Sequence, residues 1–340
     1  MRSDDFGYFE SVVNTLQCGV PSSSEWVAPF NLVLPTLSAA IWNLTSNFYL
    51  STVGLLALIA AANLILLWHW LRPFLPSGPV GHLAWLGVAL CPVWLNKTLE
   101  FTGFALSVTC LLAALLAWRR RSVLWFFVFV VDGVMNRQSA VCLVLLPAVH
   151  LAIEWRNGRP LTRGWLWGLL LTVVAIGLVV VTQPDNFARA SVVRQLSESN
   201  GMQVILQALL GLGMVGGIAA AWSMLRGEPL QSLRGRRLTF VFVWLLLGVV
   251  LLWSDDAFVR CETPLLGRFS VLLVLGSIVL AAAAPTALAR VPVEMLAVVL
   301  AYTALVALRG IWWDYYLIEP MFLLACHNGF ESAPRIRWKS

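Results

Sequence analysis

The chain has 340 residues, 59% of them hydrophobic and only 12% charged, and its net charge is +6. So few polar side chains cannot cover a globule of this size, which excludes the usual soluble classes of protein. The mean hydropathy is +0.81, and apolar runs of roughly 16 to 24 residues recur along the chain. A helix needs about 20 residues to cross a bilayer. We therefore expect an all-α, polytopic transmembrane helix bundle.

In chain order, the apolar runs predict about ten spans. They lie near 48–71, 80–95, 100–118, 122–131, 139–153, 165–181, 203–223, 238–253, 266–284 and 293–308. The chain then divides into an outer-face acidic and interfacial loop (1–47), a transmembrane helical domain (48–308) and an outer-face C-terminal tail (309–340). The pair at 122–131 and 139–153 is short. Either two tilted helices meet there below the outer surface, or the segment is re-entrant and lines a wet cavity.

The arginines predict the orientation of the bundle. Every second connection between spans is basic, and these connections together carry 12 arginines and only three acids. By the positive-inside rule they lie in the cytoplasm, and 14 of the 17 acids lie on the opposite face. The arginines then act as orientation signals, so no nucleic-acid partner is expected. They are Arg72, Arg119, Arg120, Arg121, Arg156, Arg159, Arg163, Arg226, Arg234, Arg236, Arg237 and Arg290.

Charged groups on the outer face form the candidate site. Carboxylates can act as a general base or hold a divalent cation, and arginine offers a planar fork for phosphate. Plainer interpretations exist: an acidic pair at a chain start is usually solvated, and Glu100 could simply pair with Lys97. Arg137 needs a compensating partner, because a buried arginine costs about 2.5 to 3.5 kcal/mol on insertion scales. The candidate residues are Asp4, Asp5, Glu100, Arg137, Gln138 and Arg268.

Several short motifs carry a family resemblance. Asp4 and Asp5 open the stretch Asp-Asp-Phe-Gly-Tyr, Glu100 stands at the outer start of a helix, Arg137 opens a helix after a short apolar one, and Arg268 lies in Gly-Arg-Phe. In this order they resemble the GT-C superfamily of membrane glycosyltransferases, which includes protein O-mannosyltransferases and aminoarabinose transferases. The resemblance covers roughly residues 1–285. The family has a helix before its acidic pair, and that first helix is expected to be missing here.

The resemblance implies a mechanism. Asp4 or Asp5 would be the general base that activates an acceptor hydroxyl, and Glu100 with the other aspartate would steady the acceptor. If a divalent metal ion takes part, Asp5 and Glu100 would hold it. Arg137, Gln138 and Arg268 would bind the phosphate of a polyprenyl-phosphate-linked sugar donor. Transfer would invert the anomeric centre, on the periplasmic or extracellular face of the inner (plasma) membrane. The acceptor stays open between a glycan, a lipid and a protein.

Other classes of protein fit part of the pattern. A transporter or flippase would use the same charges to line a path, although no internal repeat is visible. An O-antigen ligase or polymerase also spans the membrane many times, but it usually carries a longer outer loop. An inactive relative of the glycosyltransferases is the remaining alternative.

Overall fold

A computed structural model describes the chain in several ranges and gives it a helical architecture. The described residues are 3–22, 24, 32–72, 78–79, 82, 85–86, 97–98, 100–182, 259–260, 291–307, 312–313, 319–320 and 323–324. Two units, 1–194 and 195–340, are each described by themselves. The expectation of an all-α chain is confirmed for the described part, apart from one ladder of two residues per strand.

Eight α-helices lie within these ranges. They are α1 (Ser3–Cys18), α2 (Val33–Thr45), α3 (Leu55–Leu71), α4 (Gly103–Arg119), α5 (Val123–Val134), α6 (Leu145–Arg156), α7 (Arg163–Thr182) and α8 (Val293–Ala307). A π-helical turn, Leu50–Gly54, leads into α3, and a 3-10 helix, Gln138–Val144, leads into α6. The short ladder pairs β1 (Val259–Arg260) with β2 (Trp312–Trp313) in parallel.

Two of the helices are long and apolar enough to cross a membrane. These are the continuous segments Leu50–Leu71, with 22 residues, and Ser139–Arg156, with 18 residues, judged by length and composition. Both fall on predicted spans. Four shorter apolar helices coincide with further predicted spans: Gly103–Arg119, Val123–Val134, Arg163–Leu178 and Val293–Val306. The spans predicted near 203–223, 238–253 and 266–284, and most of 80–95, lie outside the described residues.

Residues 1–47 differ from the loop expected there, because they contain α1 and α2. Tyr8, Ser11, Val12 and Thr15 recur at helical spacing and are buried, but two of these four side chains are polar, so α1 has no strongly apolar run. Pro35 lies in the first turn of α2, where its missing amide hydrogen breaks no helical bond. Short amphipathic helices of this kind escape a search for spans.

Helices α3 and α4 run parallel to each other. Asn63 Nδ2 donates to the Ala105 carbonyl at 2.9 Å, and Trp70 Nε1 donates to the Leu112 carbonyl at 3.3 Å. From the first bond to the second, the chain advances by seven residues in each helix. Both helices therefore point the same way. Two spans point the same way when an odd number of crossings separates them. The span predicted near 80–95 would be one such crossing between α3 and α4.

The next three helices alternate in direction against α4. Trp118, at the end of α4, contacts Phe126 near the start of α5, with ring centroids 5.4 Å apart. The same ring contacts His150 of α6 at 5.6 Å and Trp165 at the start of α7 at 4.6 Å. The ends of α4 and α6 therefore lie together with the starts of α5 and α7.

The first unit thus has two distinct ends. We call one the arginine-rich end, defined by Arg72, Arg119, Arg120, Arg121, Arg156, Arg159 and Arg163, because all seven lie at the helix termini just described. We call the other the Arg137 end, defined by Tyr8, Glu100, Gly103, Asn136 and Arg137. The seven arginines, which the sequence assigns to alternate connections, thus lie at one end of the first unit.

In the second unit, α8 has a buried side that follows helical spacing. Its buried residues are Met295, Val298, Val299, Tyr302, Thr303 and Val306. The Thr303 hydroxyl donates to the Val299 carbonyl at 2.8 Å, which satisfies a polar group inside an apolar helix.

Candidate functional site

Three chain segments meet at Gly103, the first residue of α4. A Cβ atom placed on Gly103 would lie 2.5 Å from the Asn136 carbonyl oxygen and 3.2 Å from the Tyr8 hydroxyl oxygen. No side chain fits in that space, so glycine permits the close approach. The helix that carries Asp4 and Asp5, the start of α4 and the turn before Arg137 are therefore in direct contact.

Asn136 joins these segments to α2. Its side chain is 1% exposed, its Oδ1 accepts a hydrogen bond from the Leu34 amide at 3.2 Å, and its Nδ2 donates to the Asp132 carbonyl at 2.7 Å. The Leu32 amide also donates to the Met135 carbonyl at 2.8 Å. Because both ends of the amide side chain are bonded, the turn that presents Arg137 is held between α2 and α5.

Arg137 is the N-cap residue of the 3-10 helix and is half-buried. Its guanidinium carbon lies 4.8 Å from the centre of the Phe104 ring, in the first turn of α4. Its Nε donates to the Ser139 hydroxyl at 3.2 Å. Stacking on an aromatic face and a hydrogen bond at Nε both restrict a guanidinium to one orientation. Arg137 is thus fixed beside the N-terminus of α4.

Glu100 lies in the same region and forms a nearly buried ion pair. Lys97 Nζ is 2.7 Å from Glu100 Oε2, and the two side chains are 7% and 10% exposed. The next residue, Phe101, stacks on Phe9 of α1 with ring centroids 4.7 Å apart. The pairing of Glu100 with Lys97, one of the two interpretations left open by the sequence, is therefore present, and the pair lies beside α1.

The structure describes some of the predicted site residues and not others. Asp4 and Asp5 lie in the first turn of α1 and Gln138 opens the 3-10 helix, but the side chains of all three fall outside the description. Arg268 lies outside the described residues. The elements that carry Asp4, Asp5, Glu100 and Arg137 meet at one end of the first unit.

A metal site was one possibility for these carboxylates. Among the residues that the structure describes, no group of three or more His, Cys, Asp or Glu side chains could hold a metal ion. The side chain of Asp5, one of the two proposed ligands, is not among those described.

Sequence reasoning gave no role to two residues that organise the site, Tyr8 and Asn136. Tyr8 entered that reasoning only as the last residue of the Asp-Asp-Phe-Gly-Tyr stretch, and Asn136 is the uncharged residue before Arg137. A usable signal existed in Gly103, since glycine is the residue that lets the backbone approach another group closely.

The fold and the site together define the class as a helical protein with candidate membrane spans. At one end of its first unit lie a nearly buried ion pair, a stacked arginine and aromatic rings. Comparison with known proteins takes the identification no further. No protein-family model matches the chain, and no curated protein and no solved structure matches it.

Proposed function

We propose that the chain is a membrane glycosyltransferase that moves a sugar from a polyprenyl-phosphate donor to an acceptor hydroxyl. The observation that carries this proposal is the meeting of α1, the Lys97–Glu100 pair and Arg137 around Gly103. Sugar transfer from a lipid phosphate needs a base for the acceptor and a cation for the departing phosphate. Segments that bear both types of group converge here from three parts of the chain.

The surroundings of Arg137 suit a phosphate that gains charge as it departs. Arg137 lies against the first turn of α4, and the N-terminus of a helix carries a partial positive charge that favours anions. Thr102, the N-cap residue, makes no capping bond within the described part of the chain, and its Oγ1 is buried. A hydroxyl of this kind can donate to a phosphate oxygen.

The remaining parts of the proposal follow from the sequence. The chain would be GT-C-like with about ten spans, in the inner (plasma) membrane, with its site on the periplasmic or extracellular face. Asp4 or Asp5 would be the base, and Glu100 would steady the acceptor or a metal ion. Arg137, Gln138 and Arg268 would bind the donor phosphate. Placing the arginine-rich end in the cytoplasm puts the Arg137 end on the outer face.

The test is transfer of radiolabelled sugar from a panel of polyprenyl-phosphate donors by membranes that contain the full chain. We expect transfer from at least one donor, and a loss of about 100-fold or more in Asp4→Asn or Asp5→Asn and in Arg137→Ala. Matched controls at the arginine-rich end, Glu154→Gln and Arg159→Ala, should retain transfer. Retained transfer in both aspartate variants and in Arg137→Ala would refute the assignment.

A transporter or flippase is the alternative that the same charges allow. It would move a labelled lipid-linked sugar across the vesicle membrane without forming a glycosidic bond. Accumulation of labelled donor inside vesicles, with no labelled product from any donor, would replace the transferase proposal with this one.

A further inference from the structure

The arginine-rich end carries an unusual amount of unpaired charge. Within the described ranges, no carboxylate pairs with any of its seven arginines. The acid nearest to them in sequence, Glu154, is already engaged: His150 Nε2 lies 3.4 Å from its Oε1, and the Thr162 hydroxyl lies within 3.4 Å of both carboxylate oxygens. Among the residues that the structure describes, this end therefore keeps a net positive charge.

Two of these arginines are held in place by tryptophan rings. The Arg119 guanidinium carbon lies 5.6 Å from the centre of the Trp70 ring, and that of Arg121 lies 5.4 Å from the centre of the Trp118 ring. Stacking occupies the face of a guanidinium and leaves its N–H edge able to fork onto a phosphate. Two ordered guanidinium groups thus lie at the C-terminal end of α4, and one of them lies against Trp70 of α3.

The backbone at Arg121 is strained in a way that favours this arrangement. Its φ angle is +56°, a left-handed conformation that glycine adopts most readily at a helix C-terminus. The Arg121 amide donates to the Trp118 carbonyl and the Ser122 amide to the Ala117 carbonyl, at 3.0 and 2.9 Å. Arginine occupies a position where glycine would cost less, which suggests a use for its side chain.

Exposed tryptophans surround the same end. Trp125, Trp155 and Trp167 are 56%, 76% and 60% exposed, and all three lie within two turns of an arginine that defines the end. Tryptophan rings on the outside of a helix bundle are enriched at the level of lipid headgroups. In a bilayer, rings at that level would put the stacked arginines near the depth of the lipid phosphates.

We propose that Arg119 and Arg121, stacked on Trp70 and Trp118, form a binding site for the phosphate of an anionic phospholipid headgroup. The charge selects an anionic lipid over a zwitterionic one, because arginines near a membrane surface are attracted to negatively charged headgroups. The site lies at the opposite end from Gly103 and does not depend on sugar transfer.

The experiment uses the full chain purified in neutral detergent. Native mass spectrometry measures retention of phosphatidylglycerol against phosphatidylcholine, with and without excess inorganic phosphate. The test variant combines Arg119→Gln with Arg121→Gly. Its matched control combines Arg156→Gln with Arg159→Gln, which removes two exposed arginines from the same end that stack on no described ring.

We expect the wild type to retain phosphatidylglycerol in preference to phosphatidylcholine. The ratio of the two retentions should fall about tenfold in the test variant and by less than half that factor in the control. Inorganic phosphate should not displace the lipid. Arg121→Gly alone should weaken lipid binding while its thermal unfolding midpoint is unchanged or higher, because glycine relieves the left-handed strain. A site that is only structural would lower both.

Three results would overturn the proposal. Equal losses in the test and control variants would indicate a diffuse surface charge. Equal retention of the two lipids by the wild type would remove the headgroup from the explanation. Complete displacement by inorganic phosphate would indicate a site for free phosphate.

Discussion

The two ends of the first unit use charge in opposite ways. At the Arg137 end, three charged side chains that the structure describes are covered and fixed: Glu100 pairs with Lys97, and Arg137 stacks on Phe104. At the arginine-rich end, charged groups are many and mostly exposed, and no described carboxylate pairs with its arginines. Orientation in a membrane depends on the number of positive charges, whereas chemistry depends on where each charge is held. Helix α4 runs from one end to the other, with Gly103 as its first residue and Arg119 as its last.

Glu100 tests the difference between the two ends most directly, because its carboxylate belongs to the nearly buried ion pair. Glu100→Gln removes the negative charge 2.7 Å from Lys97 Nζ. Because removing one partner from a covered pair leaves a poorly solvated charge, we expect a loss of about 3 kcal/mol in the free energy of unfolding. Unfolding by SDS titration in mixed micelles measures it.

The matched control is Glu154→Gln at the arginine-rich end. Its partner His150 is 3.4 Å away, and the two side chains are 20% and 17% exposed, so we expect a loss below about 0.5 kcal/mol. Equal losses at the two ends would contradict the distinction between a covered pair and a peripheral one.

The second test removes the amide that holds the Arg137 turn. Asn136→Ala leaves the buried Leu34 amide without its acceptor and the Asp132 carbonyl without its donor. Each lost bond to a buried group costs about 1 kcal/mol or more, so we expect about 2 kcal/mol, again from SDS titration. Asn157→Ala, an exposed position at the arginine-rich end, should change stability by less than about 0.5 kcal/mol. A negligible effect of Asn136→Ala would show that the turn is held by other contacts.

The third test adds one methyl group where three segments meet. Gly103→Ala would force the Asn136 backbone and the Tyr8 ring to move, because a Cβ there lies 2.5 Å from a carbonyl oxygen. We expect a loss of about 1 to 2 kcal/mol, together with reduced sugar transfer if the proposed function holds. A Cβ at Gly177 in α7 meets nothing within 4 Å. Gly177→Ala should therefore be neutral or stabilising by up to about 1 kcal/mol, and a loss as large as that at Gly103 would contradict the packing argument.

The smallest expected effect concerns the contact between the two ends, where α3 meets α4. The Thr109 hydroxyl donates to Asn63 Oδ1 at 2.9 Å. A double-mutant cycle with Asn63→Ala and Thr109→Val should give a coupling free energy of about 0.6 kcal/mol, typical of hydrogen bonds between membrane helices. The exposed Thr45 hydroxyl donates to the Ile41 carbonyl and accepts from the Asn47 amide, and neither bond involves Asn63. A cycle of Asn63→Ala with Thr45→Val should therefore show no coupling. Zero coupling in the first cycle would mean that the α3–α4 contact needs no such bond.

Much of the helical pattern could be read from the chain. The predicted spans near 48–71, 100–118, 165–181 and 293–308 fall on observed helices, because an apolar run is a local property that survives any arrangement of its neighbours. Helices α1 and α2 were missed, because each is short and carries polar residues on its buried side. Residues 122–153 form α5, the 3-10 helix and most of α6, which both alternatives for this segment allow.

The candidate site was only partly predictable. Glu100 and Arg137 were selected for their charge, and the structure places both beside the start of α4. Tyr8 and Asn136 carry no charge, and their importance comes from the groups that they touch. A contact between residues so far apart in the chain leaves no mark on either residue's local sequence.

The sequence by itself determined the class of secondary structure, the positions of the main apolar helices and the grouping of arginines into alternate connections. These are sums over neighbouring residues, and hydropathy and charge add along a chain whatever its fold. Only the tertiary structure decided that α3 and α4 run parallel, that α1 reaches Gly103, and that Arg119 and Arg121 stack on tryptophans. Those outcomes depend on shape, because helices approach closely only where small residues, hydrogen bonds and ring faces happen to match.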